Sequence, residues 1–311
     1  MDTSATSLEI GTAVVARSRF AQQVRLFPRL LFLPTIIYLL ILTIFPLFYS
    51  LGVSFFHMVP GQKTGFIWVE NYTTLLKDPT FHHALLVTLI FVFVGVTVEI
   101  VLGVAIALVF NRHLPGLGVF RLIVYIPMMV SPLVMGYFWR FMFETTFGVI
   151  NYLIGLAGLP AVRWLIEPNP ALISILIVDI WQWTPFVILL ILAGLQTVPP
   201  ELYEIATLDR ASWWMQFRRI TLPYLKFPLL LALLFRTIDV IKLFDSIYIM
   251  TGGGPGDYTQ NLSVMAYKIG FTYFQVGKAA ALSWIMVIIV NILATILIQA
   301  LTTRPSAQTN V

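Results

Sequence analysis

The sequence predicts an all-α, polytopic membrane protein with six transmembrane helices, and three observations carry that expectation. Of 311 residues, 59% are hydrophobic and 11% charged, with a mean hydropathy of +0.90. An ordinary soluble domain is about 45–50% apolar and about 25% charged. This chain lacks the polar side chains to cover a globule, which excludes a soluble enzyme. Second, the apolar residues gather in runs of about 20, the length that crosses roughly 30 Å of hydrocarbon. Third, those runs are apolar all round, whereas barrel strands would alternate in segments of about ten residues.

Taken in order, residues 1–29 are expected as a cytoplasmic N-terminal segment. Within it Arg17 to Arg29 place Phe20, Val24 and Phe27 on one helical face, which suits either an interfacial helix or a simple positive flank. The membrane domain then covers 30–303. Its first span, 30–56, is uncharged; the second, 84–110, is interrupted only by Glu99. The third, 122–139, is uncharged, and the fourth, 172–198, holds only Asp179. The fifth, 227–250, differs in carrying Arg236, Asp239, Lys242 and Asp245, and the sixth, 279–303, is again uncharged. Residues 304–311 form a tail.

Orientation follows the distribution of Lys and Arg, which concentrate on the cytoplasmic side. With both termini inside, that side collects Arg17, Arg19, Arg25, Arg29, Arg112, Arg121, Arg210, Arg218, Arg219, Lys226 and Arg304. The outside holds only Lys63, Lys77, Arg140, Arg163, Lys268 and Lys278. The net charge of +5 is therefore read as topology, and no nucleic-acid partner is expected.

Several chemistries are excluded. With no cysteine, disulfides, thiolate metal sites and cysteine nucleophiles are absent together. His82 and His83 are adjacent, not four apart, so they form no helical metal pair and no metal site is expected. Gly61-Gln62-Lys63-Thr64 misses the phosphate-binding loop pattern, and the Gly252–Gly256 run has no following lysine. The chain is expected to bind no cofactor and to be no enzyme.

The segment 199–223 between spans four and five is the most informative. Pro199-Pro200-Glu201 reads as a helix start, with proline in the first turn and an acid near the positive dipole end. Asp209 or Ser212 is placed to cap a second helix, in which Trp213, Phe217 and Ile220 share a face and which Pro223 is expected to close. Two short helices at an angle make either a rigid projection able to transmit a push or an amphipathic hairpin lying on headgroups.

This stretch resembles the EAA loop of ABC-importer permeases. Glu204, Ile205 and Ala206 match its E-A-A, Asp209 and Ala211 match neighbouring positions, and Ile220-Thr221-Leu222-Pro223 matches its end. Arg210 stands where that family usually has glycine. Other stretches resemble the carbohydrate-uptake branch: Asn71-Tyr72 with Leu75 to Pro79, Leu108 to Arg112, Ala193 to Gln196, Phe244 to Tyr248 with Thr251 to Pro255, and Gly277 to Leu282. The resemblance implies a type I importer permease fold with a cytoplasmic coupling helix. It further implies a second permease, two ATP-binding subunits that hold ATP and Mg, and an extracytoplasmic solute-binding protein. By it, Glu204, Ala206, Asp209, Arg210, Ala211, Trp213 and Phe217 are the coupling residues.

Charges inside a span are costly and face a cavity or one another. Two groups are therefore candidates to line a carbohydrate pathway: Asp179, Trp181, Gln182 and Trp183, just before Pro185, and Asp239, Lys242 and Asp245. The regular spacing of Arg236, Asp239, Lys242 and Asp245 alternatively suggests a neutral ladder along one helix side. Glu99 is expected to be structural, a neutral, protonated carboxylic acid hydrogen-bonded to a neighbour. An ion-coupled secondary transporter using the span-five charges, or an importer of a glycerol-phosphate ester, are the alternatives.

Overall fold

The computed structural model describes residues 32–62, 64–112 and 115–302. The expected interfacial helix of Arg17 to Arg29, the N-terminal arginines, Arg304 and the tail lie outside them. The chain divides after Ser54. The first unit contributes α1 (Phe32–Val53), 22 residues without a charge and long enough to cross a membrane.

The second unit begins with a two-residue ribbon, β1 (Phe56–His57) antiparallel to β2 (Gly65–Phe66), a small exception to the all-α expectation. The short α2 (Glu70–Lys77) ends at Asp78, whose side chain caps α3 by accepting from Thr80 N at 2.9 Å. Capped there, with Pro79 in its first turn, α3 (Pro79–Phe110) starts one turn earlier than the apolar run alone suggests and includes a π turn at Phe91–Gly95.

The expected third span is two helices, α4 (Leu117–Met129) and α5 (Pro132–Met142), bent by 100°. The residue before a proline is pushed out of the helical region. Ser131, which precedes Pro132, and Val130 are both extended, with ψ of 135° and 139°. The helix α6 (Val149–Leu156) follows, and then α7 (Pro168–Leu195), which runs through Pro185 without a break. The hairpin helix α8 (Pro200–Leu208) leads into α9 (213–241), a single helical run containing a π turn at Phe217–Thr221. Pro223 therefore does not close this helix. The wider turn, with Leu222 N–H reaching Phe217 O, absorbs the hydrogen bond that proline cannot make.

The fifth predicted span is also broken. α9 ends at Ile241, and α10 (Asp245–Thr251) starts after Lys242-Leu243-Phe244. Non-helical backbone at membrane depth survives where protein satisfies it. Here Ser263 Oγ donates to Ile241 O at 3.1 Å and Asn261 Nδ2 to Leu243 O at 2.5 Å. Both donors sit at the start of α11 (Leu262–Tyr267), which continues as a π turn, Lys268–Thr272, before the long α12 (Val276–Thr302).

The core of this unit is the crossing of α3, α7 and α9. Ala107, Ile188, Ile191, Leu225 and Ala232 pack there fully buried. Association of spans rests on close packing because lipid is as apolar as leucine. Two glycines permit it: a Cβ on Gly103 would lie 2.5 Å from Val187 Cγ1, and one on Gly194 2.4 Å from Pro228 Cγ.

Helices α1, α3, α7 and α12 are each long and apolar enough to cross a membrane, and the bent α4–α5 pair makes a fifth span if counted as one. The 222–241 part of α9 carries Lys226, Arg236 and Asp239 and is too charged to be counted with them.

Candidate functional site

The centre of the α3–α7–α9 crossing is ionic. Arg236 of α9 donates from Nε to Glu99 Oε2 at 2.6 Å and from Nη2 to Glu99 Oε1 at 2.8 Å. The same Nη2 reaches Asp179 Oδ2 of α7 at 3.0 Å, and Nη1 lies 3.7 Å from Asp239 Oδ2. The Trp183 ring sits 5.1 Å from the guanidinium carbon, within cation–π reach. Arg236, Glu99 and Asp179 are 2%, 0% and 1% exposed. One forked guanidinium thus joins three helices by bonds whose planarity fixes their relative rotation. Glu99 finds the hydrogen-bonded neighbour expected of it, across 137 residues of sequence, but that neighbour is the Arg236 guanidinium, which donates to both carboxyl oxygens as an ion-pair partner rather than bonding a neutral acid.

The arrangement corrects the expected ladder. Because α9 stops at Ile241, Lys242 caps it and Asp245 begins α10. The ladder survives as two 3.7 Å contacts, Arg236 with Asp239 and Lys242 with Asp239; it does not reach Asp245, and Arg236 makes its shorter bonds to other helices.

The pathway candidates separate into two environments. Asp179 and Gln182 are buried in the interior, and Gln182 Nε2 donates to Val130 O at 3.0 Å, meeting a carbonyl released by the α4–α5 bend. Trp181 meets Trp139 edge-on at 5.3 Å. Asp239 and Lys242 instead face outward, and Lys242 borders an apolar groove of about 650 Å³ with Phe244, Tyr267, Phe271, Ser283 and Asn291. The groove walls beyond residue 245 carry no charge, so nothing in the sequence pattern marks them. Among the described residues, no three His, Asp or Glu side chains are grouped to hold a metal.

The second feature is the 200–221 hairpin, at the opposite end of the bundle from the α3, α7 and α12 starts. In α8 no residue is buried, and Glu204 is exposed. The turn explains the Arg210 position. Arg210 has φ 52°, its N–H bonds Thr207 O, and Ala211 N–H bonds Ala206 O at 2.9 Å. That is a Schellman motif, whose left-handed residue is usually glycine because it has no Cβ. Ser212, not Asp209, caps the second helix, accepting from Met215 N at 3.3 Å. Trp213 stacks on Phe217 at 5.5 Å with rings 10° apart, and Trp214, which spacing alone did not single out, stacks on the same ring at 5.7 Å. Tyr203 Oη and Thr221 Oγ1, 2.9 Å apart, tie the two arms together.

A bundle of long apolar helices pinned by a buried charge cluster, with an exposed hairpin at one end, defines a multi-pass membrane permease. Sequence comparison gives the family: residues 99–305 match the binding-protein-dependent transport system inner membrane component, and the chain belongs to it. It is 43% identical over 248 residues to the probable ABC transporter permease protein y4oQ of Sinorhizobium fredii, covering 79% of each chain. It is 39% identical over 249 residues to the trehalose/maltose transport system permease protein MalF of Thermococcus litoralis, covering 80% of this chain and 83% of that one. In fold it resembles a chain from the crystal structure of a bacterial ABC transporter involved in import of the acidic polysaccharide alginate. There the TM-score is 0.79 at 22% identity, covering 93% and 99% of the two chains.

Proposed function

We propose that the chain is one of two permease subunits of an ATP-driven importer of a neutral carbohydrate, with six spans and both termini cytoplasmic. The span that completes the six, fifth in chain order, is the 222–241 part of α9: 20 residues, or about 30 Å at 1.5 Å per residue. Its excess charge is matched inside the bundle by Glu99 and Asp179. The trehalose/maltose naming of one relative supports the carbohydrate. The pairing of Lys242 with Asp239 favours an uncharged cargo over a phosphate ester.

The observation that carries the mechanism is continuity. The exposed hairpin passes through the π turn into the same helix that bears Arg236, without an intervening loop. In this reading a partner ATPase that binds ATP and Mg grips α8 and the Trp213–Phe217 face, with Glu204 offered to a basic groove. Its closure pushes on the hairpin, and α7 and α9 rotate as a pair, locked to α3 through Arg236, to alternate access to the groove beside Lys242. The chain itself hydrolyses nothing. An extracytoplasmic binding protein delivers the solute to the opposite end. The secondary-transporter alternative gives the hairpin no task and does not fit a binding-protein-dependent family.

The test is uptake of labelled trehalose and maltose by the complex reconstituted with Glu204→Lys. Normal membrane insertion with uptake reduced more than tenfold is expected. Uptake at the unaltered rate would sink the coupling scheme.

A further inference from the structure

At the end of the bundle away from the hairpin lies a polar pocket of about 290 Å³, outside the ion cluster and the groove. Its walls are assembled from four separate segments: Asp78 and Thr80 at the α3 start, Asp257 and Gln260 before α11, Lys268 in the π turn, and Lys278 on α12. The charges are paired within the wall. Lys268 Nζ donates to Asp257 Oδ1 at 2.6 Å, and Lys278 Nζ is 3.6 Å from Asp78 Oδ2. Two acids and two bases cancel, so the pocket carries no net charge to attract an ion, and the lysines occupy the places a bound cation would take.

The pairing also freezes long side chains. Asp78 is held twice, by Lys278 on Oδ2 and by Thr80 N on Oδ1. Asp257 stands at φ 66°, fixed by a tight turn in which Gln260 N bonds Asp257 O at 3.0 Å. Ammonium and carboxylate groups held in this way keep spare donors and acceptors pointing at fixed positions. Gln260, 3% exposed, is one of the lining residues, and its enclosed Oε1 has no partner among the described residues. A buried acceptor left unsatisfied is costly and calls for a donor. Met265, Ile269 and Tyr273 supply an apolar side.

We propose that this pocket is a reception site for one neutral sugar ring, upstream of the membrane pathway. Hydroxyls donate to Gln260 Oε1 and the carboxylates and accept from the lysines, and the C–H face of the ring lies on the apolar side. The volume, at the lower edge of the about 300–1,000 Å³ typical of ligand pockets, suits a single ring. An anionic sugar is disfavoured because each lysine already has its acid. The inference rests on the carbohydrate reading above and deepens it.

The test uses the purified transporter complex in nanodiscs without its binding protein, titrated with methyl glucoside and with glucuronate and followed by saturation-transfer NMR. Gln260→Leu keeps roughly the side-chain volume and removes the side-chain amide, both the unpaired acceptor and its N–H donors, and a melting curve of the complex checks that folding is preserved. It is expected to raise the apparent Kd for methyl glucoside about three- to tenfold, the equivalent of one neutral hydrogen bond. Lys268→Met should do the same. No methyl glucoside binding by the unaltered complex, an unchanged Kd in Gln260→Leu, or tighter binding of glucuronate each overturns the proposal. If glucoside binding behaves as expected but the complex imports no sugar, the importer reading fails and the pocket stands. If uptake works and Gln260→Leu binds normally, only the pocket fails.

Discussion

Replacing Arg236 with methionine removes the one cation that holds Glu99 of α3 and Asp179 of α7 together. The substitution keeps the chain length and leaves two buried carboxyl groups without the three N–H···O contacts of 2.6, 2.8 and 3.0 Å. Ordinary hydrogen bonds between spans average about 0.6 kcal/mol, so three of them would account for only about 2 kcal/mol. Stripping one partner from a buried ionic group costs more, about 3–5 kcal/mol, because the remaining charges are stranded away from water. The larger figure governs here, since all three side chains are at most 2% exposed. For a unit of this size that lowers Tm by roughly 6–20 °C. The assay is intrinsic tryptophan fluorescence on heating the detergent-solubilised complex, as Trp183 lies against the guanidinium. The triple change Arg236→Met, Glu99→Gln and Asp179→Asn removes the stranded charges and should recover at least half of the loss. A single variant that melts with the unaltered protein, or a triple variant no better than the single, would refute the reasoning.

Other consequences are separable. Arg210→Gly relieves a left-handed residue and should raise Tm slightly, by about 1 kcal/mol of stability, with uptake retained; Arg210→Val in the same assay should lower it. Gln182→Leu leaves Val130 O at the 100° bend without its donor and is expected to cost about 1–3 kcal/mol, read by the same melting curve. Gly194→Leu forces α7 off Pro228, so the complex should fail to assemble in size-exclusion chromatography. The turn after α5 is pH-dependent: backbone N–H groups of Phe147 and Thr146 hold the Glu144 carboxyl below its usual value. A depressed value contributes order that is full above the ordinary carboxylate range and is lost as pH falls through the depressed one. Amide exchange at Thr146 and Phe147 should therefore lose its protection only in acid, and Glu144→Gln should abolish that dependence.

The sequence by itself determined the membrane class, the approximate ends of α3, α7 and α12, and the place and helical nature of the 200–221 hairpin. These depend on local composition and on caps such as Ser212, which act within a few residues of where they are written. The resemblance carried by Glu204 to Ala206 and Ile220 to Pro223 was legible for the same reason, being contiguous. Tertiary structure alone decided the rest. That Arg236 reaches Glu99 and Asp179 rather than forming a ladder with Lys242 and Asp245 depends on which helix faces which, and an apolar all-round span has no moment to announce its buried side. The breaks at Val130, beside Pro132, and at Lys242 to Phe244, within a charged stretch, fall inside segments long enough to read as single spans. They exist because Gln182, Asn261 and Ser263, distant along the chain, supply the hydrogen bonds that lipid cannot.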